Sequence, residues 1–470
     1  MTVPLVEFPE LVRHCAPFFA SVFSEQALIQ FQRYISGLIV SENKSVEGIN
    51  RIFVHETRNQ SSLNRLLNES PFSVEELNRA RLALLGSLPG TQFKPKGVLS
   101  VDDTLLTHYG CHFDQIAYLF DPSTRAYVLA HNLVNLHYSD DLTDYPVFFA
   151  LWKPADLERI EQGLRAAGVT IRESKLALKE DEPAKWRHYL LGLWRRHHNK
   201  PAVAELYESK LIMAQHLLQK WVMEHPELKL PVTFDNWYTQ PAFCRFIDQT
   251  LQLPYVGTLA SDDQVELAAG TQTLKQFAEH LKQEHLEAVK SDGKPVFHKI
   301  SISYKGAQET YYSYCRTHRI HNFGRKRLVI NYTRADLSDD PIFLIANRLN
   351  WQAIGITRIR RHRWPVEVYH EEGKAEGLDQ YQVRDFEAIY RHIALVAVTY
   401  SLLRAAQHDK ALSSKLQREL EIELEGSVPS WRRAMQAQAL WSLALFISAS
   451  LTQNLSLREI MAPLIAAVYH

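Results

Sequence analysis

Two short apolar runs, Gly97-Val-Leu-Ser-Val-Asp102 and Leu230-Pro-Val-Thr-Phe-Asp235, each end in an aspartate. Runs of this length and composition read as buried strands, and a buried strand accepts a carboxylate only beside solvent or a partner. Residues 155 to 167 and 201 to 225 have helical period, the second carrying Leu206, Leu211, Ala214, Leu217, Leu218, Trp221 and Val222, and a further helix is expected from Pro241. Strands alternating with helices imply an α/β core built on a mixed sheet. Such sheets present ligands and catalysts at strand ends, so Asp102 and Asp235 are candidate site residues. Either one taken alone serves equally well as a turn or helix cap.

At 470 residues the chain is long enough for two or three domains. Residues 1–95 are expected to form a helical DNA-binding domain. Ser73-Val-Glu-Glu76 is a capping box that opens a helix through Leu77, Arg81, Leu84 and Leu85. Before it, Val46, Ile49 and Phe53 form one short stripe and Leu63, Leu66 and Leu67 another. The polar turn between them suits a helix-turn-helix offering Arg58, Asn59, Gln60, Ser61, Asn64 and Arg65 to phosphates and base edges. Any helical hairpin shows the same pattern. Residues 88–97 read as a linker. Residues 96–254 are expected to hold the first part of the core, with a hairpin around Asp121-Pro-Ser-Thr. Four β-like runs, beginning at Phe297, Glu309, Lys326 and Ile342, mark residues 255–350 as a β-rich insertion. Residues 351–405 return to the core with a helix starting near Trp364, and residues 406–470 form a helical C-terminal region.

The formal charge is zero, with 53 basic and 53 acidic side chains, which argues against a partner held by bulk electrostatics. The distribution is uneven. Between Tyr311 and Pro365 eleven Lys/Arg, among them Arg325, Lys326, Arg327, Arg360 and Arg361, meet three acids. With Tyr311, Tyr312, Tyr314 and Trp351 interleaved, this is the pattern of a strip that meets phosphates and stacks on bases; a solvated face explains the charges alone. Cys15, Cys111, Cys244 and Cys315 show no metal or disulfide spacing. No apolar run reaches the roughly 18 residues of a membrane span and no secretory leader opens the chain, so a cytoplasmic protein without a membrane partner is expected.

A third carboxylate stands in the run Arg363-Trp364-Pro365-Val366-Glu367-Val368-Tyr369-His370-Glu371-Glu372-Gly373-Lys374. Pro365 suits the first position of a helix, and Arg363, Glu367 and Lys374 fall near one face at 3.6 residues per turn. A surface helix with ion pairs has the same spacing. Three carboxylates from two strands and a helix suit two divalent ions about 4 Å apart set against a phosphodiester. Oxygen-only donors favour Mg²⁺ or Mn²⁺ over zinc. On this reading Asp102 bridges both ions, Asp235 and Glu367 hold one each, and Arg363 and Lys374 grip phosphates.

The motifs Val-Asp102-Asp103-Thr104, Phe-Asp235-Asn236-Trp237-Tyr238 and Arg363-Trp-Pro-x-Glu367 with Lys374 resemble those of DDE transposases of bacterial insertion sequences, in the subgroup with a β insertion before its glutamate. The resemblance spans about residues 97 to 405. The family signature reads tyrosine, two residues, arginine, three, glutamate, six, lysine; here the tyrosine position is Arg360. The resemblance implies an RNase H-like core, a two-metal site and cut-and-paste transposition at terminal inverted repeats. It also implies a homodimer on double-stranded DNA, at both transposon ends and target, acting at the nucleoid. Its D-x-T spacing selects Asp102 as first ligand, whereas side-chain alternation leaves Asp103 open. Trp237 and the basic residues named above become DNA-contact candidates. An endonuclease that never joins ends, and a DNA-binding protein derived from such an enzyme, are the competing readings.

Overall fold

The structure, a computed structural model, describes residues 3–54, 59–268 and 270–469. Its strands are β1 (Val98–Thr107), β2 (Ala117–Asp121), β3 (Ala126–Ser139), β4 (Asp144–Trp152), β5 (Val232–Phe234) and β6 (Tyr255–Leu259). They continue as β7 (Gln264–Leu267), β8 (Gly270–Thr273), β9 (His298–Tyr304), β10 (Ala307–Ile320), β11 (Gly324–Tyr332) and β12 (Ile342–Ala346). All join one sheet, ordered β2-β3-β1-β5-β6-β12-β11-β10-β7-β8, with β4 also on β3 and β9 also on β10.

The centre of the sheet is mixed. β3 runs antiparallel to both β1 and β4, whereas β1, β5 and β6 are parallel. Parallel neighbours need crossover connections, supplied here by the helices Lys210–Glu224 and Pro241–Arg245. This is the α/β arrangement expected of an RNase H-like core. Beyond β6 the sheet continues antiparallel through β12, β11 and β10, so the aromatic-rich strands extend the core sheet edge to edge.

Several elements differ from the sequence expectation. The helix expected over 201–225 is two, Pro201–Ala204 and Lys210–Glu224, because Ser209 caps a fresh start: its Oγ accepts the Ile212 N–H at 3.4 Å. The helix Pro183–His197 packs Trp186, Leu190 and Trp194 against Ile160 and Leu164 in a small core of its own. Within the β-rich stretch lies the helix Leu274–Lys290, opened by a capping box between Thr273 and Gln276. It buries Leu274, Phe277, Ala278 and Leu281, spaced by three and four residues.

The helix Phe386–Ala406 runs through the middle of the molecule, and the helices Glu25–Val40, Ser61–Asn68 and Val74–Ser87 pack on it. Their apolar residues belong to the same main core as the sheet. This helix and Val428–Thr452 are long and apolar enough by mean composition to cross a membrane, although Arg391, His392 and Arg404 in the first and Arg432, Arg433, Gln436 and Gln438 in the second keep every uninterrupted apolar run short. Phe386–Ala406 is buried in protein along most of its length, the ordinary condition of a core helix.

Candidate active site

β5 is three residues long and pairs with β1 only through Leu99↔Val232, Ser100↔Thr233 and Val101↔Phe234. The next residue on each strand is Asp102 and Asp235. The sequence reading ends β1 at Asp102, but β1 runs on to Thr107 because its other edge stays paired with β3. It is β5 that leaves the sheet, and its departure opens a crevice beside Asp102, at the carboxyl end of a parallel strand.

Asp235 begins the turn that follows. Its Oδ1 accepts the Tyr238 N–H at 3.1 Å and its carbonyl accepts the Thr239 hydroxyl at 2.6 Å, so it also caps the turn. Asp102 Oδ1 accepts the Asp103 N–H at 2.9 Å and Oδ2 accepts from Arg363 Nη1 at 2.9 Å. Burial pushes Asp102 up to about 7, with Arg363 opposing and Asp235 and Asp103 adding to the rise. Burial also raises Asp235, opposed by the Tyr238 N–H and Arg363 and reinforced by Asp103. These carboxylates are close enough to resist sharing negative charge, the electrostatic condition of a cation site.

Asp103 is differently placed. Its Oδ1 accepts from the Tyr238 hydroxyl at 2.8 Å, and its Oδ2 from Asn132 Nδ2 at 2.6 Å and Lys210 Nζ at 2.8 Å. Three donors from three elements hold it.

Glu367 comes from the helix Trp364–Ala375, with Pro365 in its first turn as the sequence indicates. Val366, Tyr369 and His370 seat the helix on the core. Burial holds His370 down to about 3, so its neutral ring accepts from Asn135 Nδ2 of β3 at 2.9 Å. Arg363 precedes the helix and pairs with both Asp102 and Glu367, so one guanidinium, only 10% exposed, ties the two carboxylates together. Among the described residues no three His, Cys, Asp or Glu side chains form a ready metal cluster. Arg363 pairs with Asp102 on one side and with Glu367 on the other.

Asp102, Asp103, Asp235, Trp237, Lys210 and Lys374 line one cavity of about 620 Å³. Lys210 Nζ sits 4.2 Å from the centre of the Trp237 ring, which is 44% exposed at the cavity wall. Lys374 lines the cavity with Asp102 and Asp235, whereas Arg363 is engaged with carboxylates. Arg360, at the signature's tyrosine position, has its Nε buried without a partner. Burial pushes it down to about 10, and the charges of Arg363, Glu367 and Asp235 act on it, which puts it beside the site.

The basic strip is largely neutralised by acids outside the window in which it was counted. Arg361 pairs with Glu309 at 2.9 Å, Lys326 with Asp248 at 3.5 Å, Arg358 with Asp141 at 2.9 Å and Arg319 with Glu266 at 3.1 Å. Arg327 Nε donates to Cys315 Sγ at 3.1 Å, and Arg325 is exposed on β11, which β5, β6 and β12 separate from β1. Arg58 lies outside the described residues. Asn59 Oδ1 accepts the Ser61 N–H at 3.0 Å, while Gln60 and Arg65 line a separate cavity with Arg384 and Asp385.

Lys210 and Asn132 are candidate-site residues the sequence reading did not single out, and Tyr238, which stands in the second motif, had no role assigned to its hydroxyl. Asn132 and Lys210 lie 29 and 107 residues from Asp103, and no local spacing signals either contact.

A mixed α/β sheet with acids gathered where a parallel strand ends is a nuclease-like fold. The family model of the DDE superfamily endonucleases matches residues 17–276, more than half of the chain, and the chain belongs to that family as a DDE transposase-type protein. No curated protein matches it. The matched stretch contains Asp102 and Asp235 and ends before Glu367, so the third acid rests on geometry and motif.

Proposed function

We propose that this chain is a DNA transposase in which Asp102, Asp235 and Glu367 hold the divalent cations for phosphodiester cleavage and strand transfer at the ends of its element. Family membership makes DNA the substrate and a metal-dependent nuclease the enzyme class. The observation that carries the residue assignment is the crevice opened by β5, into which the register delivers Asp102 and Asp235 side by side, with Glu367 joined to Asp102 through Arg363.

The donor set fits a hard cation: oxygen ligands only, and an Asp102 whose ionisation is opposed by burial, Asp235 and Asp103 and favoured by Arg363. Bound Mg²⁺ or Mn²⁺, two ions per site, supplies the positive charge that stabilises the cleavage transition state. Asp102 is the ligand rather than Asp103, because Asp103 already satisfies three donors and orients Lys210 and Tyr238. Arg363 offsets part of the negative charge of Asp102 and Glu367, and Lys374 and Lys210 would face the phosphates from the cavity wall.

The active unit is a homodimer. Leu440, Trp441, Leu445, Leu451, Leu457 and Ile465 are exposed on the last two helices, and residues 434–457 carry no charged side chain. An uncharged apolar face of this kind suits a second copy of itself rather than DNA. Light scattering of the full chain with and without DNA tests this, and a monomer in both conditions contradicts it.

Function is tested with purified protein, Mg²⁺ and duplexes taken from the DNA flanking the coding region. Cleavage at inverted repeats, followed by joining of a pre-cut 3′ end to a second duplex, is expected; cleavage without joining identifies an endonuclease. Lys374→Ala is expected to weaken DNA binding evenly across sequences and to lower the slope of log affinity against log salt by about 1. An unchanged slope in a salt titration removes Lys374 from the phosphate contacts.

A further inference from the structure

The chain leaves the sheet at Trp152, the last residue of β4, and returns at Lys210, where the helix Lys210–Glu224 begins. Trp152 and Lys210 both line the cavity that holds Asp102 and Asp235. The helical excursion between them therefore stands at the rim of the candidate active site. Its helices Leu157–Ala166, Leu178–Asp181, Pro183–His197 and Pro201–Ala204 close a small core of their own. Tyr207 packs on that core and on the main one, its ring 5.0 Å from Trp194 and 6.5 Å from Trp152.

Charge is divided unevenly within the excursion. Residues 183–204 contain five Lys/Arg, three His and no acid. Lys185 pairs with Glu182, and Lys200 Nζ donates to the Ala167 carbonyl at 3.2 Å. The acid nearest in the chain before them, Glu161, already holds Arg165 at 3.0 Å and Lys179 at 3.1 Å. Arg187, Arg195 and Arg196 are exposed, and among the described residues none of the three has an acid within ion-pair distance. They differ in this from Arg319, Lys326 and Arg361, whose charges acids from elsewhere in the chain offset. In a chain of zero formal charge, three uncompensated guanidinium groups on one surface favour an anionic partner.

The helix dipole accounts for cations in the last turn of Pro183–His197, where Arg195 and Arg196 stand, but not for Arg187 in its second turn. Arg187 and Arg195 are eight residues apart, about 12 Å along the axis, which is too far for one phosphate to bridge and suits a repeating backbone of phosphates. Burial raises the Tyr207 phenol and the charges of Arg187 and Arg195 oppose it, which places both near the ring that abuts Trp152. The two ring-to-ring steps from Trp152 to Trp194 together span no more than the rise of about four base pairs. A duplex with a phosphate at Asp102 and Asp235 continues beyond the cavity rim, and the positive charge on this rim is free to meet its backbone.

We propose that the helix Pro183–His197 is a second DNA-contact surface, on which Arg187, Arg195 and Arg196 hold backbone phosphates of the duplex arm that leaves the cut phosphodiester over the Trp152 rim. The proposal rests on the functional reading above and gives that site a partner surface outside the cavity.

The full chain, an Arg187→Gln/Arg195→Gln/Arg196→Gln variant and an Arg187→Lys/Arg195→Lys/Arg196→Lys variant are titrated with a fluorescent duplex of about 30 base pairs across a series of salt concentrations. Each phosphate contact contributes about 0.9 to the slope of log affinity against log salt, so the glutamine variant is expected to lose about 2 to 3 in slope and the lysine variant to keep the wild-type slope. The three positions are exposed, and an unchanged melting temperature confirms the fold. A glutamine variant with the wild-type slope overturns the surface, and is the result that an acidic protein as its true occupant would give. A lysine variant that loses as much slope as the glutamine variant overturns it too, because charge is then not what holds the DNA. Cleavage by Asp235→Asn separates the two readings. Should that protein still cut DNA while the glutamine variant loses slope, the active-site assignment fails and the surface stands; should it fail to cut while the glutamine variant keeps the wild-type slope, the surface fails alone.

Discussion

Asp235→Asn is expected to leave the protein folded and to lower Mg²⁺-dependent DNA cleavage by on the order of 10³-fold or more, the consequence of losing an anionic ligand that helps stabilise several kcal/mol of transition-state charge. The side-chain amide keeps a carbonyl oxygen for the Tyr238 N–H, so the turn after β5 retains its cap. What is lost is negative charge in a crevice already crowded with acids, where on the proposed reading it attracts a cation. Nicking of supercoiled plasmid together with a melting curve checks both halves of the expectation. A folded variant that cuts at the wild-type rate removes Asp235 from the site. The same experiment on Glu367→Gln, if cleavage survives, redirects attention to Glu371 on the same helix.

The second large effect concerns stability. Asp144, at the start of β4, has no exposed surface and accepts from Arg404 at 2.9 and 3.0 Å, Lys305 at 2.7 Å and the Tyr400 hydroxyl at 2.9 Å, with His137 at 3.4 Å. Burial alone would raise its pKa, but Arg404, the His137 hydrogen bond and Lys305 outweigh it and hold the carboxyl well below its ordinary value. Asp144 joins three parts of the chain, since Arg404 comes from the central helix and Lys305 from the turn between β9 and β10. Asp144→Ala leaves Arg404 buried without its counter-charge, and the expected loss is about 3–5 kcal/mol. Urea unfolding reads it as a lowered midpoint, and a midpoint within error of wild type contradicts the role assigned to this cluster. The sign of the pH effect follows from the depressed pKa. The Asp144 contribution is fully present above the unfolded carboxyl's pKa of about 3.9 and is lost as pH falls through the lower folded value.

The sequence carries the core of this site legibly because its decisive signals are local. Two apolar runs ending at Asp102 and Asp235 mark the crevice, and Pro365 marks the start of the Glu367 helix. The boundary of β1 is less legible, since strand length depends on a partner: β3 keeps Asp103 to Thr107 paired after β5 has gone. The helix Leu274–Lys290 shows its capping box and its apolar spacing openly, but the surrounding β-rich runs dominate the reading. Contacts across the chain are invisible to any spacing rule. Lys210 reaches Asp103, and Glu309 and Asp248 neutralise Arg361 and Lys326, only because the fold brings distant residues together. A charge count within a window overstates free positive charge when the counter-ions lie outside it.

The central claim is that Asp102, Asp235 and Glu367 together hold divalent cations. Iron-directed cleavage tests it most directly: Fe²⁺ replaces Mg²⁺ on the full chain, ascorbate and peroxide generate hydroxyl radicals at the bound ion, and the backbone breaks are mapped by mass spectrometry. Breaks clustered near residues 102, 235 and 367, suppressed by excess Mg²⁺ and absent from Asp235→Asn, are the predicted result. Mg²⁺-sensitive breaks confined to other parts of the chain, with these three segments intact, contradict it.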